Sequence, residues 1–306
     1  MSTLLKAGLL FVGCLLSLAA NGQENAEVPL GALPTQYNGS FAGETGSPRL
    51  NTLMGLSYNR YYGGSYRTYA SYDQFIPALR SGVGLTAGYG RTWQGGERFA
   101  PDYEGSGYGT YFSAAIAPKF SMGGKLTLSP SLDLSLQSGR SSSSQPAQLT
   151  WKSSGSTVRS RIGLLLNTEK FYVGYSVLLL DRFNNSVEND TISWRASGRT
   201  EKFTSYWQFG YTFGRGTESK FSFTPQLVFT TGTRQYSRRG YVLFAPVDFN
   251  LNFRYKKIIW GVNSTGVHLG WQTDKLRIML SDDLQYVRRD EPGYGANIAL
   301  RYIFKD

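Results

Sequence analysis

The sequence predicts an all-β fold, a transmembrane antiparallel β-barrel of about fourteen strands, and three observations support this prediction. Apolar and polar residues alternate along many segments, aromatic residues make up 15% of the 306-residue chain against 17% charged residues, and the mean hydropathy is -0.30. Because only every second residue of a barrel strand meets lipid, the mean hydropathy of such proteins stays modest. After residue 22 no run approaches the roughly 20 apolar residues that a membrane-spanning helix needs.

The N-terminal 22 residues predict a secretory signal peptide. Lys6 precedes the apolar run AGLLFVGCLLSLAA, and the small residues Ala20 and Gly22 fit cleavage after Gly22. The only cysteine, Cys14, lies inside this segment, so the mature chain would have neither a disulfide nor thiol chemistry. We therefore expect an exported protein that resides in the outer membrane.

Residues 23–49 are rich in Gly, Pro, Asn and Ser and have no sustained period, which indicates an N-terminal extension. This segment is expected either to hang free in the periplasm or to tuck into the lumen as a plug. The barrel then spans residues 50–306.

The alternation is clearest between residues 246 and 280. From Val247 to Tyr255 every second residue is apolar, and Asp248 and Arg254 are among the polar residues between them. A period of two places the two sets on opposite faces of a strand, whereas a helix would mix them. Lipid can cover the apolar face, and a polar lumen is the expected complement.

Fourteen segments carry this alternation, each near the roughly 9 to 11 residues that cross a bilayer at a tilt. They lie at residues 50–58, 66–74, 83–93, 109–120, 125–137, 157–167, 170–180, 202–213, 219–230, 246–255, 257–264, 266–273, 275–281 and 294–304. Short connections alternate with long ones at 94–108, 138–156, 181–201, 231–245 and 282–293. The short turns are expected in the periplasm and the long loops outside the cell.

Local composition adds four finer predictions. Pro130 and Pro225 lie within strands and lack a backbone N–H, so each predicts a bulge or a strand margin. Alternating glycines in SGVGLTAGYG predict a smooth wall beside a close-packed plug. The segment SGRSSSSQPAQ predicts a flexible link. Loops 181–201 and 282–293 mix charges with Trp194, Tyr286 and Tyr294, which is typical of a protein-docking surface or of an aromatic girdle.

The formal net charge of +11 indicates a positively charged lumen rather than a nucleic-acid-binding surface. Lys and Arg are spread along the chain without a basic block, and a signal peptide takes the protein away from nucleic acid. The candidate lumen charges, which lie on the polar phase of their strands, are Arg159, Arg161, Asp248, Arg254 and Arg277, together with Arg301. Acidic loops or lipid headgroups are alternative counterions.

No enzymatic, metal or cofactor site is expected. His268 is the only histidine, so a Ser-His-acid triad would have to use it, with Ser264 close in sequence. A lone histidine on the polar phase of a strand is more often a lumen residue. Asp282 and Asp283 are similar to the paired acids of outer-membrane proteases, but they open a long loop, where solvated acids are ordinary. Neither a calcium loop nor a glycine-rich phosphate loop occurs.

Several segments together resemble the PorP/SprF family of outer-membrane proteins. In QYNGSFAGETGSPRL, Asn38, Ala42 and Gly43 match a family segment of the form Asn-Pro-Ala-x-Ala-Gly. The segment EKFYVGYSVLLLDRF resembles a recurrent family strand through Lys170, Phe171, Tyr172, Gly174, Ser176 and Val177. YRTYASYDQFIPALRSGVGLTAGYG resembles the second and third strands, and PVDFNLNFRYKKIIWGVN and YGANIALRYIF resemble the last ones. Departures at LSDDLQ and YGAN indicate a divergent member.

The resemblance implies a non-enzymatic component of type IX secretion and gliding motility, acting as a membrane anchor or adaptor. Its implied partners are other secretion and gliding proteins, secreted surface adhesins and outer-membrane lipid. Two alternatives stay open. The lumen arginines favour a passive, porin-like channel for small anionic solutes, and short alternating strands also occur in soluble β-sandwiches and secreted repeat proteins.

Overall fold

A computed structural model describes residues 33–59, 63–94, 104–123, 125–144, 150–188, 193–199, 204–214, 220–231, 234–237, 240–243, 247–264, 266–282 and 293–304. The predicted signal peptide and residues 23–32 lie outside the described residues. Within the described part, no helix is long and apolar enough to cross a membrane.

Eighteen strands lie within these ranges. Their bounds are β1 Arg49–Asn59, β2 Gly63–Ile76, β3 Ser81–Gln94, β4 Glu104–Pro118, β5 Phe120–Met122, β6 Leu126–Ser144, β7 Thr150–Asn167, β8 Phe171–Glu188, β9 Ser193–Arg199, β10 Ser205–Tyr211, β11 Phe221–Thr231, β12 Arg234–Ser237, β13 Gly240–Leu243, β14 Val247–Tyr255, β15 Ile258–Asn263, β16 Gly266–Gln272, β17 Leu276–Asp282 and β18 Gly293–Ile303.

Fourteen of these strands close into one antiparallel barrel. The order around the ring is β1-β2-β3-β4-β6-β7-β8-β10-β11-β14-β15-β16-β17-β18, and β18 pairs with β1. β5 pairs with β6 beyond the end of β4, β9 pairs with the far part of β8, and β12 and β13 form a separate hairpin. The prediction of a fourteen-stranded β-barrel is confirmed.

The wall is apolar outside and polar inside, the inverse of a water-soluble domain. On β6, Leu132, Leu134 and Leu136 are about half exposed, while Ser131 and Asp133, which alternate with them, are each only 7% exposed. The same alternation recurs around the ring, so that leucine and aromatic side chains cover the outer face. Lipid is the solvent that such an outer face requires.

Two connections predicted as loops are long β-hairpins instead. β6 continues to Ser144 and β7 begins at Thr150, so most of the Ser-rich segment predicted as a flexible link is strand. A hydroxyl of this segment pairs across the sheet with the neighbouring strand, as between Ser138 and Thr110 at 3.0 Å. β8 likewise runs to Glu188 and pairs with β9, inside the predicted loop 181–201. Serine-rich composition predicts a link locally, but continued backbone pairing with both neighbouring strands overrides it.

Pro130 and Pro225 lie where the ladder to one neighbouring strand is interrupted. Pro130 of β6 lies opposite the junction between β4 and β5. Both of these strands pair with β6 in the same register, and in that register Pro118 is the residue opposite Pro130. Pro225 faces the break between the β10–β11 ladder and the isolated Phe213↔Phe223 bridge. On the other side each proline stays in register, so neither forms the bulge that was one of the two predicted outcomes.

Candidate functional site

The main feature of the lumen is a folded segment, Leu33–Pro48, which we call the plug. It comprises a helical turn, α1, at Pro34–Tyr37 and a 3₁₀ turn at Gly39–Phe41, followed by a bend to Ser47. Proline at the first helical position fits α1, since its missing N–H has no partner there anyway. The plug contacts inward-facing residues near the short turns of the barrel, so it occupies that end of the lumen.

Asn38 joins the plug to two strands of the wall. Its side-chain amide donates to the carbonyl oxygens of Leu164 on β7 and Tyr175 on β8, both at 3.3 Å. The side-chain oxygen accepts from the Ser40 backbone N–H at 3.0 Å, which caps the 3₁₀ turn. Asn38 is completely buried, so these bonds satisfy groups that have no access to water.

A buried ion pair ties the plug to the first two strands. Arg49 Nε on β1 lies 2.9 Å from Asp73 Oδ2 on β2, and the two side chains are 2% and 1% exposed. Arg49 Nη2 also donates to the Phe41 carbonyl at 3.1 Å, and Asp73 Oδ1 accepts from the Gly43 N–H at 2.9 Å. The Arg49–Asp73 pair therefore links β1 to β2 and also hydrogen-bonds the plug at Phe41 and Gly43.

Glycines make room for the plug on the inner wall. A Cβ at Gly82 would overlap the Ala42 carbonyl, and one at Gly84 would lie 3.3 Å from the Ala42 Cβ. Gly43 itself has φ +63°, a left-handed conformation that favours glycine. Gly82 and Gly84, two of the alternating glycines of β3, thus leave room for the close approach of Ala42.

Three further contacts complete the plug's attachment. Ser40 Oγ donates to Ser131 Oγ at 2.8 Å, and Lys119 Nζ donates to the Ser40 carbonyl at 2.8 Å. Arg161 Nη1 donates to the Gln36 carbonyl. The plug is thus held by side chains of β6 and β7 and by the residue that follows β4.

The family-motif positions lie close together in space. Asn38, Ala42 and Gly43 belong to the plug. On β8, Gly174 faces Asn38, with 3.2 Å between an ideal Cβ and Nδ2, and the Tyr172 ring meets the Phe41 ring edge to face at 5.3 Å. Ser176 is buried one step further along the strand, while Lys170 and Phe171 lie at its short-turn start and are exposed.

The predicted lumen charges lie in four different surroundings. Arg161 contacts the plug. Arg159 lies closer to the long hairpin and pairs with Asp181 at 3.2 Å. Asp248 accepts from Ser264 Oγ at 3.0 Å. Arg254 and Arg277 line a cavity of about 320 Å³ between the plug and the barrel wall, together with Arg301.

His268 is a buried lumen residue that is hydrogen-bonded to an asparagine side chain. Its Nε2 lies 2.8 Å from Asn252 Oδ1, whereas Ser264 bonds Asp248 instead. A catalytic Ser264–His268 pair is therefore not assembled. Asp282 ends β17 and is exposed, and Asp283 lies outside the described residues.

Arg49, Asp73 and Lys119 hold the plug but were not singled out from the sequence. Arg49 and Asp73 are separated by a hairpin, so only the register of β1 against β2, which places them directly opposite, brings them together. The sequence feature that could have identified Arg49 and Asp73 is a pair of opposite charges at lumen-facing positions of two adjacent strands.

A closed antiparallel barrel with a lipid-compatible outer face and a polar, plugged lumen defines an outer-membrane β-barrel protein. Residues 33–288 match the family model described as type IX secretion system membrane protein PorP/SprF, and the chain belongs to this family. The resemblance seen in its motifs is confirmed. None of the curated proteins compared with the chain matches it.

Solved structures with the same fold share little sequence with this chain. The toluene transporter TbuX of Ralstonia pickettii is 12% identical, with TM-score 0.52 and 94% and 97% of the two chains covered. The toluene transporter TodX of Pseudomonas putida is 11% identical, with TM-score 0.51 over 93% and 96%. The monoaromatic hydrocarbon channel CymD is 11% identical, with TM-score 0.53 over 92% and 95%. These similarities establish the barrel fold alone.

Proposed function

We propose that this protein is a non-enzymatic anchor or adaptor of the type IX secretion and gliding machinery. It holds secreted surface adhesins at the outer face of the membrane or machinery components at the periplasmic face. The proposal includes export by a signal peptide cleaved after Gly22, with residues 23–49 forming the plug segment of a barrel at 50–306. Family membership supports the assignment to type IX secretion.

The plug is the observation that favours an anchor over a pore. It occupies the short-turn end of the lumen, and it is fixed by the buried Arg49–Asp73 pair and by Asn38. Undocking would take the Phe41 carbonyl, the Gly43 N–H and the Asn38 amide away from these buried partners, and the cost of unmade buried hydrogen bonds favours the docked plug. A barrel whose lumen holds a built-in segment serves better as a platform than as a route for solutes.

The long hairpins supply an outward platform for a secreted partner. β6–β7 and β8–β9 continue the wall on the side away from the short turns, and the second hairpin carries Trp194, Arg195 and Arg199. Arginine and tryptophan are enriched at the centres of protein interfaces. We assign cargo contact to the β8–β9 hairpin.

The short turns supply a basic rim that faces the periplasm in this orientation. Each of the six short turns carries a lysine or arginine that is exposed. Among the described residues of these turns, the exposed basic ones are Arg80, Lys125, Lys170, Lys220, Lys256, Lys257 and Lys275, against the acids Glu169 and Asp274. Such a rim suits acidic surfaces of machinery proteins and anionic headgroups of outer-membrane lipid.

Shortening the β8–β9 hairpin should release the cargo without disturbing the barrel. Replacing residues 185–196 with Asn-Gly joins Asn184 to Ser197, which are already paired, by a two-residue turn. We expect type IX cargo to be lost from the cell surface to the medium, measured by surface labelling, while heat-modifiable mobility reports an intact barrel.

The matched control shortens the neighbouring hairpin in the same way. Replacing residues 142–152 with Asn-Gly preserves the Ser141↔Ser153 pair and removes the serine-rich tip instead. Cargo should stay attached in this variant. Equal retention in both variants, with both barrels assembled, would refute the assignment of cargo to the β8–β9 hairpin.

The arginine-lined cavity favours the alternative, a passive channel for small anionic solutes. Arg254, Arg277 and Arg301 face the space beside the plug, where a permeating anion would pass. In this alternative the plug is mobile during function. Conductance of the purified protein separates the two functions.

A further inference from the structure

The outer face of the long β6–β7 hairpin changes from apolar to polar at one level of the wall. Phe112, Leu136 and Val158 lie opposite one another on β4, β6 and β7 and are about half exposed. Residues paired in this way lie on one side of the sheet and form a row. The next row away from the short turns consists of Thr110, Ser138, Ser156 and Asn184. With the short turns in the periplasm, lipid tails give way to headgroups of the outer leaflet at this row.

The row beyond it places an arginine among small hydroxyl side chains. Arg140 on β6 is exposed and lies opposite Tyr108 on β4 and Ser154 on β7. Ser154 in turn lies opposite Ser186 on β8. Two adjoining depressions of about 370 and 380 Å³ share these four residues, because the serines around Arg140 leave space beside its guanidinium. We propose that these depressions bind the phosphorylated sugar headgroup of an outer-leaflet glycolipid, with Arg140 holding the phosphate.

A second arginine lies on the other side of Tyr108. Arg91 on β3 is exposed and is paired with Tyr108 in the register of β3 and β4. Since adjacent strands are about 4.8 Å apart, the backbones of Arg91 and Arg140 are on the order of 10 Å apart. Two long side chains at this separation can reach one headgroup above the tyrosine. A guanidinium fork matches two oxygens of a phosphate, which is the geometry that an arginine site for a phosphorylated lipid requires.

The charge of this face favours an anionic headgroup. Arg182 on β8 lies opposite Val158 and adds a third exposed arginine, at the level of the apolar row. In the rows of Val158, Ser138 and Arg140, the described positions of β3, β4, β6, β7 and β8 carry no carboxylate. One row further out, Lys152 lies opposite Glu188, so this lysine adds no net charge. Arginines at the level of lipid headgroups attract anionic lipids.

The hydroxyls of this face suit a sugar as well as a phosphate. Ser154 Oγ and Ser186 Oγ are 2.7 Å apart, and Thr110 Oγ1 and Ser138 Oγ are 3.0 Å apart. Each hydroxyl has one donor and two acceptor sites, so a bonded pair leaves one O–H and several lone pairs outside that bond. Tyr108, which is 48% exposed, adds a phenol hydroxyl beside Arg140. A headgroup with many hydroxyls finds hydrogen-bond partners here that a simple anion would not use.

Binding of diphosphoryl lipid A, a phosphorylated disaccharide lipid, to the full mature protein in detergent tests the proposal. Native mass spectrometry should show wild-type barrels carrying one lipid A, and dephosphorylated lipid A should bind more weakly. Arg140→Gln should weaken binding of diphosphoryl lipid A by about tenfold or more, because charge-assisted hydrogen bonds to the phosphate are lost. Arg91→Gln provides a second variant in case Arg140→Gln does not assemble.

Arg159→Gln is the matched control. It removes the same charge from the opposite face of the same hairpin, where Arg159 pairs with Asp181 at 3.2 Å. Its affinity for diphosphoryl lipid A should equal that of the wild type. Heat-modifiable mobility reports that all the variants are assembled barrels.

Three outcomes would overturn the site. The first is equal binding of diphosphoryl and dephosphorylated lipid A to the wild type, and the second is an equal loss of affinity in Arg140→Gln and Arg159→Gln. The third is unchanged lipid A binding in assembled Arg140→Gln together with loss of type IX cargo from the cell surface, which would assign this face to a protein partner. The lipid site is independent of the anchor role, so either proposal can fail while the other stands.

Discussion

Replacing Asp73 with alanine is expected to lower the free energy of unfolding of the barrel by about 3–5 kcal/mol, the usual cost of leaving one buried charge without its partner. The substitution removes the Asp73 carboxylate, which pairs with Arg49 and accepts from the Gly43 N–H. Urea unfolding of the refolded protein in detergent, followed by tryptophan fluorescence, measures the effect.

Asp181→Ala is the control for this prediction, because it breaks a second arginine-aspartate pair of the same lumen. Arg159 in that pair is 40% exposed, so water can replace the lost carboxylate. The expected loss is below about 1 kcal/mol. Equal losses in the two variants would mean that the Arg49–Asp73 pair does not hold the plug.

Replacing Gly82 with alanine is expected to undock the plug while the barrel stays assembled. The new methyl group would overlap the Ala42 carbonyl, which is backbone and cannot rotate away. Overpacking of this kind costs about 1–3 kcal/mol, which corresponds to a rise of about 5- to 150-fold in the undocked population.

A single cysteine at position 40 reports this undocking. Ser40 is completely buried, and the mature chain predicted here has no other cysteine. The rate of maleimide labelling of Ser40→Cys should rise in the Gly82→Ala background. Gly90→Ala, on the same face of β3 but with its nearest neighbour at 3.7 Å, should leave the rate unchanged. No acceleration in Gly82→Ala would show that the plug is not packed against Gly82.

The strands of the wall were predictable because each has one face toward lipid and one toward the lumen. Apolar and polar residues therefore alternate along each strand. Leu132, Asp133 and Leu134 alternate between lipid and lumen, and this pattern needs no knowledge of the neighbouring strands. Family membership was also predictable, since motif residues such as Asn38 and Gly174 are read directly from the sequence.

Contacts that depend on strand register could not be predicted in this way. Arg49 and Asp73 become partners only when β1 and β2 pair in the observed register. Gly82 is required by the Ala42 carbonyl, which is remote in sequence. The serine-rich hairpin was mistaken for a link because its stability comes from ladders with neighbouring strands and not from local propensity.

Planar-bilayer conductance of the purified full-length mature protein distinguishes a plugged anchor from an open pore. A plugged barrel predicts little or no steady current in the wild type and larger current in Gly82→Ala. A steady, anion-selective current in the wild type that matches that of Gly82→Ala would contradict the anchor and support the channel.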